Sequence, residues 1–157
     1  MDLSVPLDNF DIDYIYFGES VTNNVILNGI FNRIYYSNNN FTINGLSISC
    51  KFNDIKIERY YNKYKLSFNK EKNMADLNKI NLLEKEILSK IYIQGKTPIY
   101  KLEEQLKFGS IKINDYINDL YILTLKISGI WQSKTNYGIT FRFQINKSIF
   151  NHLLKNT

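Results

Sequence analysis

Apolar positions along the chain keep one of two spacings, and the change between them divides it. In residues 120–146 the spacing is two. Leu123, Leu125 and Ile127, then Tyr137, Ile139, Phe141, Phe143 and Ile145, form an apolar set, with Thr124, Lys126, Ser128, Thr140, Arg142 and Gln144 as the polar counter-set. This predicts two strands joined by the polar QSKTN turn: a C-terminal β-hairpin with one face on a core and a slightly cationic face in water. Trp131 and Tyr137 fall in the apolar phase and are expected in the core.

Residues 12–68 keep the same period in shorter pieces. Ile12–Phe17, Ile30–Ser37, Ile55–Tyr61 and Tyr64–Phe68 read as strands, with residues 18–24 (GESVTNN) and Asn38-Asn39-Asn40 as loops. From Phe41 to Phe52 the alternation slips by one at Asn44-Gly45, which predicts a bulge or tight turn. Residues 1–11 read as an extended leader.

The NKEKN segment, residues 69–73, ends this pattern, and the period becomes helical. Leu77, Ile80, Leu83, Ile87 and Ile91 share one face, with Asn73 or Asp76 as N-cap and Gly95 past the end. Thr97-Pro98 predicts the start of a short helix through Leu106, completing a helical segment over residues 74–106. Residues 111–119 fit either a strand or a third helix, and residues 147–157 a tail. Together these predict a single α+β domain, an antiparallel β-meander or partly open barrel with one main helix and a closing hairpin.

At 157 residues the chain suffices for one buried core, and its apolar runs are too short for a membrane span. The acidic start, MDLSVPLDNFDID, does not read as a signal peptide. Cys50 and His152 are each the sole residue of their kind, which excludes an intrachain disulfide and a Cys/His zinc site and suggests a reducing compartment. Asn, Ile, Lys and Tyr are abundant and Ala75 is the sole alanine, the usage of an AT-rich genome, so the lysine excess is partly a codon effect.

Charge is uneven. Residues 1–50 carry five carboxylates and one arginine, whereas residues 51–157 carry 19 basic and 10 acidic residues. An acidic head on a basic body is either an exposed N-terminus, an intramolecular contact, or a segment competing with an anionic partner.

Catalytic constellations are missing: no Gly-rich phosphate loop, GxSxG elbow or HExxH is present. Glu84/Glu86 and Glu103/Glu104 read as solvated helix faces. Asp8, Asp11 and Asp13 lack the glycine and terminal glutamate of a calcium loop. Cys50 sits in the apolar phase of its strand and is expected buried and inert, and His152 reads as incidental. The expectation is a protein that is not an enzyme, with no cofactor, metal, membrane or small-molecule substrate.

Between Lys51 and Lys72, seven cations face three carboxylates, with Tyr60, Tyr61, Tyr64 and Phe68 interleaved. Cations for phosphates and flat rings for bases are what single-stranded nucleic acid requires. Period two separates Lys63, Lys65 and Ser67 from Tyr64, Leu66 and Phe68, which counts against rings and cations sharing a face and favours core packing for the rings over nucleic-acid contact. The candidate contacts are Lys56, Arg59, Lys63 and Lys65 for phosphates, Tyr60 and Tyr61 for stacking, and Lys126 and Arg142 from the hairpin. A second reading takes residues 77–146 as a winged helix-turn-helix, with residues 111–118 in the major groove and the QSKTN turn as wing. Against it, that segment offers only Lys112 beside Asp115, and Asp119 follows.

The order Ile15-Tyr16-Phe17-Gly18-Glu19, Arg33-Ile34-Tyr35-Tyr36-Ser37, Phe41-Thr42-Ile43-Asn44-Gly45, Ile127-Ser128-Gly129-Ile130-Trp131 and Tyr137 to Ile145 resembles a family of small proteins encoded by giant nucleocytoplasmic large DNA viruses, mimivirus-like in residue usage. The resemblance implies a β-meander, a central helix and a closing hairpin. It also implies a single-stranded-DNA-binding role in the host cytoplasm, at the viral factory, or in the virion. The rival expectation is a virion structural protein that binds protein, or itself, through exposed sheet edges. The departure from that layout is in residues 97–119.

Overall fold

A computed structural model of the chain describes residues 4–23, 25, 26, 29–114 and 123–145. In chain order these form β1 (Val5–Pro6), β2 (Ile15–Asn23), β3 (Gly29–Ser37), β4 (Thr42–Asn44), β5 (Leu46–Cys50), β6 (Ile55–Tyr60), β7 (Lys63–Phe68), α1 (Met74–Ile91), β8 (Thr97–Pro98), α2 (Lys101–Leu106), β9 (Ser110–Ile113), β10 (Leu123–Gln132) and β11 (Asn136–Ile145). The α+β class holds, with one main helix.

The described strands form two open sheets and no closed barrel. In the larger, β10 is the spine. It pairs with β11 along its whole length, and on its other edge with β5 over Leu123–Ile127 and β3 over Gly129–Gln132. Strands β2 and β4 flank β3, and two short parallel pairings, β1 to β5 and β8 to β11, extend the sheet. The smaller sheet has the order β6-β7-β9, so residues 55–68 leave the predicted meander and pair instead with a strand from beyond the helices.

The closing hairpin forms where the alternation predicts it, with one irregularity. Its register shifts between Ile127 and Gly129, so Ser128 is an extra residue and the inward phase moves to Ile130 and Gln132. Trp131 is thereby turned to the opposite face, half-buried, with the Lys101 ammonium 4.6 Å over its ring. The expectation of a core Trp131 fails at this bulge, whereas Tyr137 is buried as expected. Gly129 is required here because a Cβ would lie 2.3 Å from the Asn32 carbonyl oxygen. The other predicted slip is also real: Gly45, at φ +85°, is the corner between β4 and β5.

Four further expectations are corrected. Residues 12–14 are a 3-10 turn, closed by the Asp11 carboxylate accepting the Asp13 N–H, so β2 starts at Ile15. The GESVTN stretch is strand rather than loop, because pairing with β3 satisfies its backbone whatever the side-chain polarity. Thr97-Pro98 is strand β8. The N–H groups of Thr97 and Ile99 bond to β11 and its turn, and Pro98, which has none to offer, sits at the sheet edge where none is needed. Glu84 is fully buried, not solvated: its carboxylate accepts the Leu102 and Glu103 N–H groups at 2.9 and 3.0 Å and so caps α2.

Asn73 stands at the N-cap of α1, but its side chain bonds Asn53 and Asn69 instead of the helix. At the other end Tyr92, at φ 21°, not Gly95, turns the chain out of the helix. The core is one hydrophobic cluster. It unites Leu77, Ile80, Leu83 and Ile87 of α1 with Leu66 and Ile111 of the small sheet and Leu123, Leu125 and Ile139 of the large one. The acidic N-terminal segment makes an intramolecular contact, Asp8 pairing with Lys79 of α1.

Candidate nucleic-acid interface

Strand pairing decides which of the candidate residues share a face. In the small sheet Tyr60 pairs with Lys63, Glu58 with Lys65 and Lys65 in turn with Lys112, and Lys56 with Ser67 and then Ser110. Side chains on directly paired residues project to the same side. One face therefore presents Lys56, Lys63, Lys65 and Lys112 with Tyr60 and Glu58, and the other presents Ile55, Ile57, Leu66, Phe68, Ile111 and Ile113 toward the core. Ring and cation share the outer face after all: the Lys112 ammonium lies 5.6 Å from the centroid of the Tyr60 ring.

Tyr61 occupies the hairpin tip. It is 82% exposed, at φ 54°, and its ring stands edge-on to that of Tyr60 with centroids 4.8 Å apart. A bulky residue in the left-handed region is held at a cost of roughly 1–3 kcal/mol, and such strain clusters at functional sites. Two exposed rings at the end of a row of lysines form a surface that polar solvation alone does not call for.

An open groove of about 890 Å³ runs along this face, lined by Glu58, Tyr60, Lys65, Ser110 and Lys112, with Phe108 among its walls. Glu58 holds Lys56 at 3.3 Å, both well exposed, so that this lysine is partly neutralised in place. Lys63, Lys65 and Lys112 carry the remaining positive charge of the outer rows, and Arg59 adds a cation to the groove lining.

Arg59 pairs with Tyr64, out of phase with the lysine rows, yet its exposed side chain also lines the groove near the hairpin tip. The other predicted residues are elsewhere. Tyr64 packs partly buried against the core, and Phe68 stacks on Phe52 with centroids 4.9 Å apart. Lys126 and Arg142 face one another across β10 and β11, in the large sheet. Lys112 and Phe108 were missed as contacts. The pairing of β9 with β7 brings in the first, and no local sequence pattern announces that pairing.

Of the candidate recognition segment, the described part, through Ile113, is a strand paired with β7, and the QSKTN turn joins β10 to β11 at the end of their hairpin. Residues 115–122 and His152 lie outside the described residues. Among the described residues no group of three or more His, Cys, Asp or Glu side chains could hold a metal. No helix there is long and apolar enough to cross a membrane. Comparison with known proteins finds no matching family model, no matching curated protein and no matching solved structure.

Proposed function

We propose that the outer face of the small sheet binds single-stranded nucleic acid without sequence preference, by electrostatics and stacking rather than catalysis. The observation that carries this reading is the placement of Tyr60 on one face with Lys63, Lys65 and Lys112, beside the exposed Tyr61. Lysines track the phosphates, and the rings receive bases that a duplex keeps stacked out of reach. The resemblance to giant-virus proteins and the AT-rich residue usage support a role in viral replication or packaging, at the viral factory or in the virion.

Fluorescence anisotropy with labelled oligo-dT across a salt series tests it. Phosphate contacts on Lys63, Lys65 and Lys112 predict a slope of log affinity against log salt of about −2. Lys63→Glu with Lys65→Glu should weaken binding strongly, whereas Lys126→Glu and Arg142→Glu, on the other sheet, should change it by less than about twofold. Absence of binding at low salt, or equal affinity for duplex, would refute the proposal.

A second reading rests on β2, which pairs only with β3 among the described strands and exposes Val21 at 53% and Tyr16 at 55%. An open edge of this kind can add a strand from a second copy or a virion protein. Sedimentation of wild type against Val21→Lys over a concentration series checks it: a monomer at all concentrations removes self-association.

A further inference from the structure

Resting on the nucleic-acid reading, we propose that Phe108 is a second stacking platform. A single strand then crosses the small sheet diagonally from Tyr60 to Phe108, with its phosphates on Lys65 and Lys112 between them.

Phe108 is 78% exposed, an unusual position for a side chain that burial normally claims, and it lies just beyond α2. Its backbone is tied on both sides. The Lys107 carbonyl accepts a hydrogen bond from the Lys70 ammonium at 2.9 Å, and the Gly109 carbonyl accepts the Phe68 N–H at 2.9 Å. Gly109 itself sits at φ +70°, which orients the turn. A ring presented from a fixed turn needs little further ordering when a flat partner arrives.

The spacing suits a strand of several nucleotides. Tyr60 belongs to the row of Lys63 and Ser110 to that of Ser67, four residues along and two strands across. At ~3.3 Å per residue and ~4.8 Å between strands, the diagonal is about 16 Å. Lys65 and Lys112 pair directly with each other in the middle of that path. Ser110 and Gln105, which also line the groove, offer neutral donors and acceptors for base edges next to Phe108.

The test compares wild type, Phe108→Ala and Phe108→Trp against two labelled probes of equal length, oligo-dT and an abasic oligomer. Phe108→Ala should weaken oligo-dT binding roughly tenfold and leave the abasic oligomer unchanged, because a stacking platform acts only through a base. Phe108→Trp should restore or tighten oligo-dT binding. Because the side chain is exposed, unchanged melting curves are expected and confirm folded variants. Salt-sensitive oligo-dT binding that ignores Phe108, or an equal loss on both probes, overturns this inference while leaving the proposed function standing. No wild-type binding to either probe overturns the proposed function itself. Polyglutamate displacing oligo-dT at matched charge concentration would point to an acidic protein partner and overturn both.

Discussion

The buried carboxylate of Glu84 accepts the backbone N–H of Leu102 at 2.9 Å, from one helix to the first turn of the next. The bond fixes where α2 begins, and α2 leads directly into the Phe108 turn and β9, so a residue far from the lysine face sets the wall of the groove. Removing the side chain leaves the Leu102 and Glu103 N–H groups without partners in or near the core. Glu84→Ala is expected to lose roughly 2–4 kcal/mol in urea denaturation, at about 1–3 kcal/mol per orphaned buried group.

The same carboxylate gives stability a pH dependence. Burial, the largest influence, raises its pKa above the ordinary 4.5, against the lowering effect of the two N–H groups it accepts. A carboxyl with a raised folded-state value contributes stability fully below the ordinary glutamate range and loses it as pH rises through the folded value. Wild type should therefore lose stability relative to Glu84→Gln as pH climbs from about 4 toward neutrality. Parallel titrations of the two proteins by urea midpoint measure that difference, and parallel curves would refute it.

Gln132 and Asn32 predict a measurable coupling. The Gln132 amide donates to the Asn32 side-chain oxygen at 2.7 Å, its own oxygen accepts from the Lys96 ammonium at 3.0 Å, and Asn32 donates onward to Ser20 and the Gly18 carbonyl. This polar chain ties β2, β3 and β10 through the inner face. Gln132→Leu or Asn32→Leu alone should cost about 1–3 kcal/mol, and the double variant less than the sum, because each single change strands the other's polar atoms. An additive double-mutant cycle would contradict the network.

Cys50 is expected to be chemically silent in the native protein. Burial is the chief cause pushing its thiol up to about 12, and its side chain is 2% exposed. Thiolate is the reactive species, so Ellman's reagent should find no thiol in the folded protein and one after urea unfolding. Rapid native-state reaction would show that the strand opens easily.

Local pattern and long-range pairing were legible to different degrees. The helical face of α1, the hairpin alternation and the Gly45 corner follow from nearest-neighbour spacing, and each was readable. Glu84 was not: it looks like any surface glutamate until α2 arrives to bury it, an event set by tertiary packing. Trp131 was misplaced because a bulge costs one residue of phase and leaves no composition mark beyond Gly129. Most consequential, the sequence separates Tyr60 from Lys112 by 52 positions, and only the β7–β9 pairing joins them on one face.

Glu58 supplies a sharper check on the lysine face than any loss of function. Its carboxylate lies within the cationic rows, 3.3 Å from Lys56 and paired across the strands with Lys65. A carboxylate there repels a phosphate backbone and occupies a lysine that would otherwise be available to it. Glu58→Gln keeps the shape, removes the charge, and frees Lys56. If phosphates bind this face, the variant should hold oligo-dT about threefold more tightly at low salt, since an exposed charge near 4 Å acts weakly through water. The gain should fade at high salt, where such pairs are screened. A ligand bound on the large sheet, around Lys126 and Arg142, would leave Glu58→Gln indistinguishable from wild type at every salt concentration. An acidic or neutral partner can also be separated by this variant: the acidic one gains in the same sense but without dependence on Tyr60, and the neutral one shows no salt dependence at all.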